Sequence, residues 1–203
     1  GLHFESVVRA LRLGFSSVMF DGSTLEYEEN IRQTREVVKM CHAVGVSVEA
    51  ELGAVGGDEG GALYGHADES LFTDPMLARD FVDRTGIDAL AVAIGNAHGK
   101  YKGEPLLDFP RLDAIRQQAA IPLVLHGGSG ISDDDFKRAI ELGIHKINFY
   151  TGMSQAALSA VETRMANRQP LYDEFAELLL GIEEAITDTV SEQMRIFGSA
   201  GRV

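Results

Sequence analysis

The segment PLVLHGGSG, residues 122–130, joins a short apolar run to a histidine and a glycine-rich turn. A run of this length, preceded by Pro and followed by Gly, indicates a strand that is buried on both faces. Ser132 and the three aspartates after it predict the start of a helix, because a serine hydroxyl caps the first turn and negative charge is favoured there. The segment therefore predicts a strand, a loop and a helix, the repeating unit of parallel α/β proteins.

The same unit recurs along the rest of the chain. Strands are predicted at 17–20, 46–52, 89–94 and 144–149, and helices at 4–13, 31–41, 75–86 and 108–118. Each predicted strand ends close to a polar or charged residue: Asp21, Glu51, His98, His126 and Asn148. In a (β/α)8 TIM barrel these ends converge on one rim, whereas an open doubly wound sheet gathers only those near its switch point. The positions of the polar residues therefore favour the barrel.

Composition narrows the classes of function. The 203 residues are 45% hydrophobic and 24% charged, which is usual for a globular protein, and we predict a single domain over 1–203. A net charge of −13 argues against a nucleic acid partner, which needs a basic surface. No apolar run approaches the roughly 20 residues of a membrane span. The single cysteine, Cys41, excludes an internal disulfide and fits a reducing cytosol, so we expect a buried thiol and a cytoplasmic protein.

His98 and His126 are one strand–helix unit apart, and each is followed by glycine. Neutral imidazoles are good zinc ligands, and glycine lets backbone or ligand approach closely. A lone histidine is more simply explained by structural hydrogen bonds. Two histidines at corresponding strand ends favour a metal site.

Glu49 and Glu51 alternate on one predicted strand, so both side chains should lie on the same face. Charged groups on a buried strand are unfavourable unless they are paired or bind a metal. Glu51 is a candidate to ligate or orient a metal, and Asp21 is a candidate to support the ligands from behind or to form an alternative metal position. Structural ion pairs near the rim explain these carboxylates equally well.

Two glycine-rich segments are candidate substrate-binding loops. The segment GAVGGDEGG, residues 53–61, can close over a substrate and bring Asp58 or Glu59 as an acid or base, although a solvated loop explains it too. The turn at 127–130 precedes a capped helix, and residues 148–151 follow the last strand. The last two strand ends are the usual phosphate position in barrels.

Four motifs occur in order: EAELG at 49–53, AIGNAHG at 93–99, LHGGSG at 125–130 and KIN at 146–148. With them the chain resembles the class II, zinc-dependent fructose/tagatose-bisphosphate aldolase family, and within it the tagatose-bisphosphate or YdjI-like branch. The resemblance covers essentially the whole chain. It implies Zn2+ as the cofactor, with a monovalent cation as a second candidate. It also implies that His98 and His126 are zinc ligands, that Glu51 is a metal-site carboxylate, and that Glu59 is the mobile-loop acid.

The resemblance further implies a binding site for dihydroxyacetone phosphate. The matching positions are Gly99, Gly127, Gly128, Ser129, Asn148, Phe149, Tyr150 and Thr151. Phe149 and Tyr150 replace the small or acidic residues common in the family. The implied reaction is reversible cleavage of a ketose (bis)phosphate to dihydroxyacetone phosphate and an aldehyde such as glyceraldehyde 3-phosphate. A phosphorylated sugar is the expected partner, and the protein is expected to be a homo-oligomer.

Two other functions stay open at this point. Lys146, near a strand end, allows a Schiff-base class I barrel aldolase, although the two histidines favour a metal. A non-catalytic barrel subunit, or an inactive fragment of an aldolase complex, is the other alternative.

Only five strands are predicted, whereas a barrel has eight. The first predicted helix has no strand before it. The resemblance places the family's catalytic Asp and its first zinc-binding His, an adjacent pair, immediately upstream of Gly1. We therefore expect that this chain is the C-terminal part of the barrel, and that these 203 residues alone are inactive.

Overall fold

Five parallel strands form the sheet at the centre of the molecule. The computed structural model describes residues 3–56, 69–99, 101, 104–169 and 174–202. The strands are β1 (Ser17–Phe20), β2 (Ser47–Leu52), β3 (Ala89–Val92), β4 (Leu123–Leu125) and β5 (Ile144–Ile147). Each strand pairs in parallel with the next one along the chain, in the order β1-β2-β3-β4-β5. This is the order of consecutive strands in an α/β barrel, whereas an open doubly wound sheet reverses its order at a switch point.

Helices connect the strands and cover the sheet. In chain order they are α1 (Phe4–Arg12), α2 (Tyr27–His42), α3 (Pro75–Thr85), α4 (Phe109–Ala119), α5 (Asp133–Glu141), α6 (Thr151–Ala166), α7 (Phe175–Leu178) and α8 (Ile182–Ile196). A short 3-10 helix occupies Glu69–Leu71. In the part of the chain that is described, none of the helices has the length and apolar character that a membrane crossing requires.

Local sequence signals explain where the helices begin and end. Asp74 accepts the backbone N–H of Met76 at 2.8 Å and precedes Pro75, the first residue of α3. The same helix ends at Gly86, whose φ of 72° lies in the left-handed region that glycine adopts without strain. Ser132 caps α5 by accepting the N–H of Asp135. The helix starts predicted from the sequence at these positions are confirmed.

The core lies between the sheet and the inner faces of α2 to α5. Its largest fully buried side chains include Phe20, Phe81, Leu112 and Ile115. The Cys41 thiol is completely buried in this core, as predicted. Because α2 to α5 cover one side of the sheet, the chemically reactive side chains lie at the strand ends and in the loops that follow them.

Candidate metal and substrate site

Three buried side chains meet near the carboxyl ends of β2 and β4. Glu49 and Glu51 lie on β2, and His126 directly follows β4. His126 Nε2 is 2.8 Å from Glu49 Oε1, and its Nδ1 is 3.2 Å from Glu51 Oε2. Since both glutamates reach one imidazole, the prediction that they share a face is confirmed.

The charges in this cluster favour a cation between the two glutamates. Burial lowers the pKa of His126, but the hydrogen bonds and charges of Glu49 and Glu51 outweigh burial and raise that pKa to about 9. Burial likewise raises the pKa of Glu49, but hydrogen bonds from His126 and Lys146 outweigh it, so that this pKa lies below its usual value. The position between the carboxylates therefore suits a bound proton or a metal ion.

Lys146 extends the cluster to β5. Its Nζ donates to Glu49 Oε2 at 2.7 Å, while Glu49 Oε1 accepts from the imidazole. The Lys146 side chain is 52% exposed, whereas that of Glu49 is only 5% exposed. One buried carboxylate thus links a lysine on β5 to the histidine that follows β4.

His98 reaches the site from a loop rather than from a strand end. β3 ends at Val92, earlier than the predicted strand, and the chain turns at Gly95 and Asn96. Asn96 Oδ1 accepts the N–H of Ile94 at 2.8 Å, and its Nδ2 donates to the backbone oxygen of His126 at 3.0 Å. This loop brings the His98 ring to a centroid distance of 5.8 Å from the His126 ring.

The donors fit a zinc ion in kind, and one donor pair also fits it in spacing. Ligands about 2.1 Å from a tetrahedral zinc lie about 3.4 Å from one another, close to the 3.2 Å between His126 Nδ1 and Glu51 Oε2. Glu51 is also oriented through its other oxygen, which accepts the N–H of Val55 at 3.2 Å. Within the described ranges, no three His, Cys, Asp or Glu side chains are already arranged as a ligand set. Binding would therefore replace the proton on Nδ1 and draw in His98.

The remaining polar candidates are not brought into this cluster by the contacts they make. Asp21 follows β1, where its Oδ1 accepts the N–H and the hydroxyl of Ser23 at 3.0 and 2.7 Å in a local turn. Its metal role stays a prediction. Asp58 and Glu59 lie outside the described residues.

A cleft beside the two histidines gathers most of the predicted substrate residues. It is lined by His98, Gly99, Gly127, Gly128, Ser129, Asn148, Tyr150 and Thr151. Phe149, the remaining candidate, lines a neighbouring cleft that shares Gly99, Ser129 and Thr151 with the first. The structure thus places the glycine-rich turn and the end of the last strand side by side.

Ser129 joins the glycine-rich turn to the first turn of α6. Its hydroxyl oxygen accepts the N–H of Gly152 at 3.0 Å. Backbone N–H groups at the start of a helix and in a glycine-rich turn both attract anions. The arrangement is chemically suited to a phosphate group.

Tyr101 is a positioning residue that sequence reasoning missed. Its hydroxyl donates to Gly127 O at 3.0 Å and accepts the N–H of Ala97 at 2.7 Å, so it ties the His98 loop to the glycine-rich turn. Burial raises the pKa of this hydroxyl to about 12. An isolated tyrosine carries no periodic signal that could have revealed this role. The pairing of Lys146 with Glu49 was also missed, because the residues are far apart in sequence.

Known proteins similar to this chain are aldolases. The family model described as fructose-bisphosphate aldolase class-II matches residues 1–202. A probable fructose-bisphosphate aldolase from Bacillus subtilis (strain 168) is 44% identical over 202 residues, which is 100% of this chain and 70% of that protein. A fructose-bisphosphate aldolase from Geobacillus stearothermophilus is 46% identical, again over 100% of this chain and over 69% of its own length.

Solved structures give the same result. The crystal structure of the YdjI aldolase from Escherichia coli K12 superposes with a TM-score of 0.84 at 42% identity, covering 100% of this chain and 68% of that one. A putative fructose-1,6-biphosphate aldolase from Coccidioides immitis also has a TM-score of 0.84, at 33% identity, covering 98% of this chain and 69% of its own.

Proposed function

Because the chain belongs to the class II fructose-bisphosphate aldolase family, we propose that it is a zinc-dependent aldolase that cleaves a ketose (bis)phosphate to dihydroxyacetone phosphate and an aldehyde. One observation carries the proposal. The His98 imidazole lines the glycine-rich cleft and lies 5.8 Å from the His126 imidazole, which has Glu51 against it. Candidate metal donors and a cleft lined by a glycine-rich turn and the start of α6 are therefore adjacent, as a reaction at a ketose phosphate carbon requires.

The residues divide into a metal part and a phosphate part. His98, His126 and Glu51 would hold the zinc ion, which acts as a Lewis acid toward a carbonyl oxygen. The turn at Gly127 to Ser129, together with the start of α6 at Thr151, would bind the phosphate through backbone N–H groups. Asn148 and Tyr150 also line the cleft and would contact the substrate. Glu59 would transfer the proton to the product carbon, the role that the family motif assigns to it.

The Schiff-base alternative is less well supported. A Schiff-base lysine attacks with a free amine, whereas Lys146 Nζ is engaged with the Glu49 carboxylate at 2.7 Å. Borohydride treatment with a ketose phosphate should leave Lys146 unmodified under this proposal.

The decisive experiment measures metal content and cleavage together. The full-length protein is purified, its metal is determined by elemental analysis, and a panel of ketose 1-phosphates and bisphosphates is assayed for triose release. We expect zinc in the protein, loss of cleavage on chelation and recovery when zinc is returned. Zinc without cleavage of any substrate would favour the non-catalytic barrel subunit. Cleavage that is insensitive to a chelator would contradict the metal role.

A further inference from the structure

We propose that Lys146 and Glu49 form a positioning pair that holds His126 by its Nε2 and leaves Nδ1 as the nitrogen that binds the metal. The inference rests on the proposed function and deepens its metal site. It assigns a role to two residues that are not themselves ligands.

The first step is the direction of the His126 ring. Both ring nitrogens face carboxylates, Nε2 at 2.8 Å from Glu49 and Nδ1 at 3.2 Å from Glu51. The shorter contact is to the glutamate that Lys146 also binds, and the longer one is to Glu51, the candidate metal-site carboxylate. A metal can replace the proton on only one of these nitrogens, and the other keeps its N–H to fix the tautomer.

The second step concerns the hydrogen bonds that each glutamate already makes. Glu49 uses both of its carboxylate oxygens, Oε1 for His126 and Oε2 for the Lys146 ammonium. Glu51 uses Oε1 for the N–H of Val55, which leaves Oε2 directed at Nδ1. Both oxygens of Glu49 are therefore engaged by donors, whereas Glu51 keeps an oxygen for the metal.

The third step is the charge balance at Glu49. A carboxylate with only 5% of its side chain exposed is unfavourable unless it is paired, and Lys146 supplies that pair from β5. With Lys146 present, Glu49 can accept the Nε2–H and raise the basicity of the imidazole toward the metal. Without it, Glu49 loses both its orientation and a compensating charge. Lys146 thus acts through Glu49 rather than by touching the metal or the substrate.

The test measures zinc affinity by competition with a chelator in the full-length protein. Removing a group that orients a metal-binding histidine typically weakens metal binding by about 10–100-fold. We expect Glu49→Leu to fall in this range and Lys146→Met to weaken binding by about tenfold. Lys146→Arg, which keeps a cationic donor, should restore most of the affinity. Lys137→Met is the matched control, since it removes another lysine–carboxylate contact, to Asp134, on the exposed face of α5.

The double variant separates positioning from a direct role. Because Lys146 acts through Glu49, adding Lys146→Met to Glu49→Leu should not weaken zinc binding further. Independent effects that multiply in the double variant would overturn the proposal, as would wild-type affinity in Lys146→Met. Since Lys146 is half exposed, that variant should fold even if Glu49→Leu does not.

A spectroscopic readout checks the nitrogen assignment. In zinc-loaded protein with 15N-labelled imidazoles, His126 should show a metal-bound Nδ1 and a protonated Nε2. A metal-bound Nε2 would overturn the assignment. Neither this spectrum nor the zinc affinity depends on turnover, so zinc-binding protein without aldolase activity would refute the proposed function while leaving this inference intact.

Discussion

Replacing Gly127 with Ala should disrupt the site by a steric mechanism that can be measured. Gly127 has a φ of +67°, and a Cβ added there would lie 2.1 Å from Ala97 O and 3.0 Å from His98 N. Real Cβ contacts are essentially never shorter than 3.0 Å, so the Ala97 carbonyl must retreat by at least 0.9 Å, the difference between 3.0 and 2.1 Å. His98 is the next residue, and its displacement would carry it away from His126.

Two effects contribute to the expected loss of stability. A non-glycine residue in the left-handed region is destabilised by about 1–2 kcal/mol. For a protein of this size, each kcal/mol shifts Tm by roughly 2–4 °C, so this strain alone should lower Tm by about 2–8 °C. The steric overlap between the new Cβ and Ala97 O should lower Tm further. Metal sites tolerate distance errors of only about 0.2 Å, so zinc content should also fall.

Gly45→Ala is the matched control for the backbone strain. Gly45 has a φ of +74°, but a Cβ there would meet nothing within 4 Å. Thermal unfolding and zinc content are measured for both variants beside the wild type. We expect Gly45→Ala to lose stability while keeping its zinc, and Gly127→Ala to lose more stability and its zinc. Equal Tm values and equal zinc content in the two variants would refute the steric reasoning.

Two further predictions concern the glycine-rich loop and a surface carboxylate. Glu59→Gln should lower turnover by about 10²–10⁴-fold with zinc content unchanged, because a proton-transfer group contributes that much. Glu69→Gln, on the exposed 3-10 helix, is the control. Wild-type turnover in Glu59→Gln would refute the role. Asp88 accepts the N–H of Val48 at 2.7 Å and contacts His42 Nε2 at 2.8 Å. Burial raises its pKa, but these partners outweigh burial, so that the pKa lies below its usual value. Stability from this lowered pKa is present above the unfolded value of about 3.9 and is lost as pH falls through the lower folded value. The Asp88 side chain is 44% exposed, so solvent screens these contacts and Asp88→Asn should lower stability at pH 7 by only about 0.5 kcal/mol. The difference in Tm from wild type should shrink below about pH 4. A difference that stays constant down to pH 2 would contradict this.

Much of the fold could be predicted from the sequence because its signals are local. The apolar run at 123–125, the serine cap at Ser132 and the Asp74–Pro75 helix start all act within a few residues, and all appear in the structure as predicted. The alternation of Glu49 and Glu51 also placed both carboxylates on one face, since a strand has a period of two. The motifs around His98 and His126 were enough to indicate a metal-binding aldolase family.

Tertiary structure alone decided how those residues meet. His98 lies in a loop after β3, and the side chains of Asn96 and Tyr101 hold that loop against the turn at Gly127. Lys146 and Glu49 are 2.7 Å apart although they are carried by β5 and β2. Contacts of this kind depend on the closure of parallel strands and on where each loop leaves the sheet. Neither periodicity nor local propensity predicts such contacts. The family could be recognised from the sequence, whereas the hydrogen bonds that orient His126 could be identified only in the folded molecule.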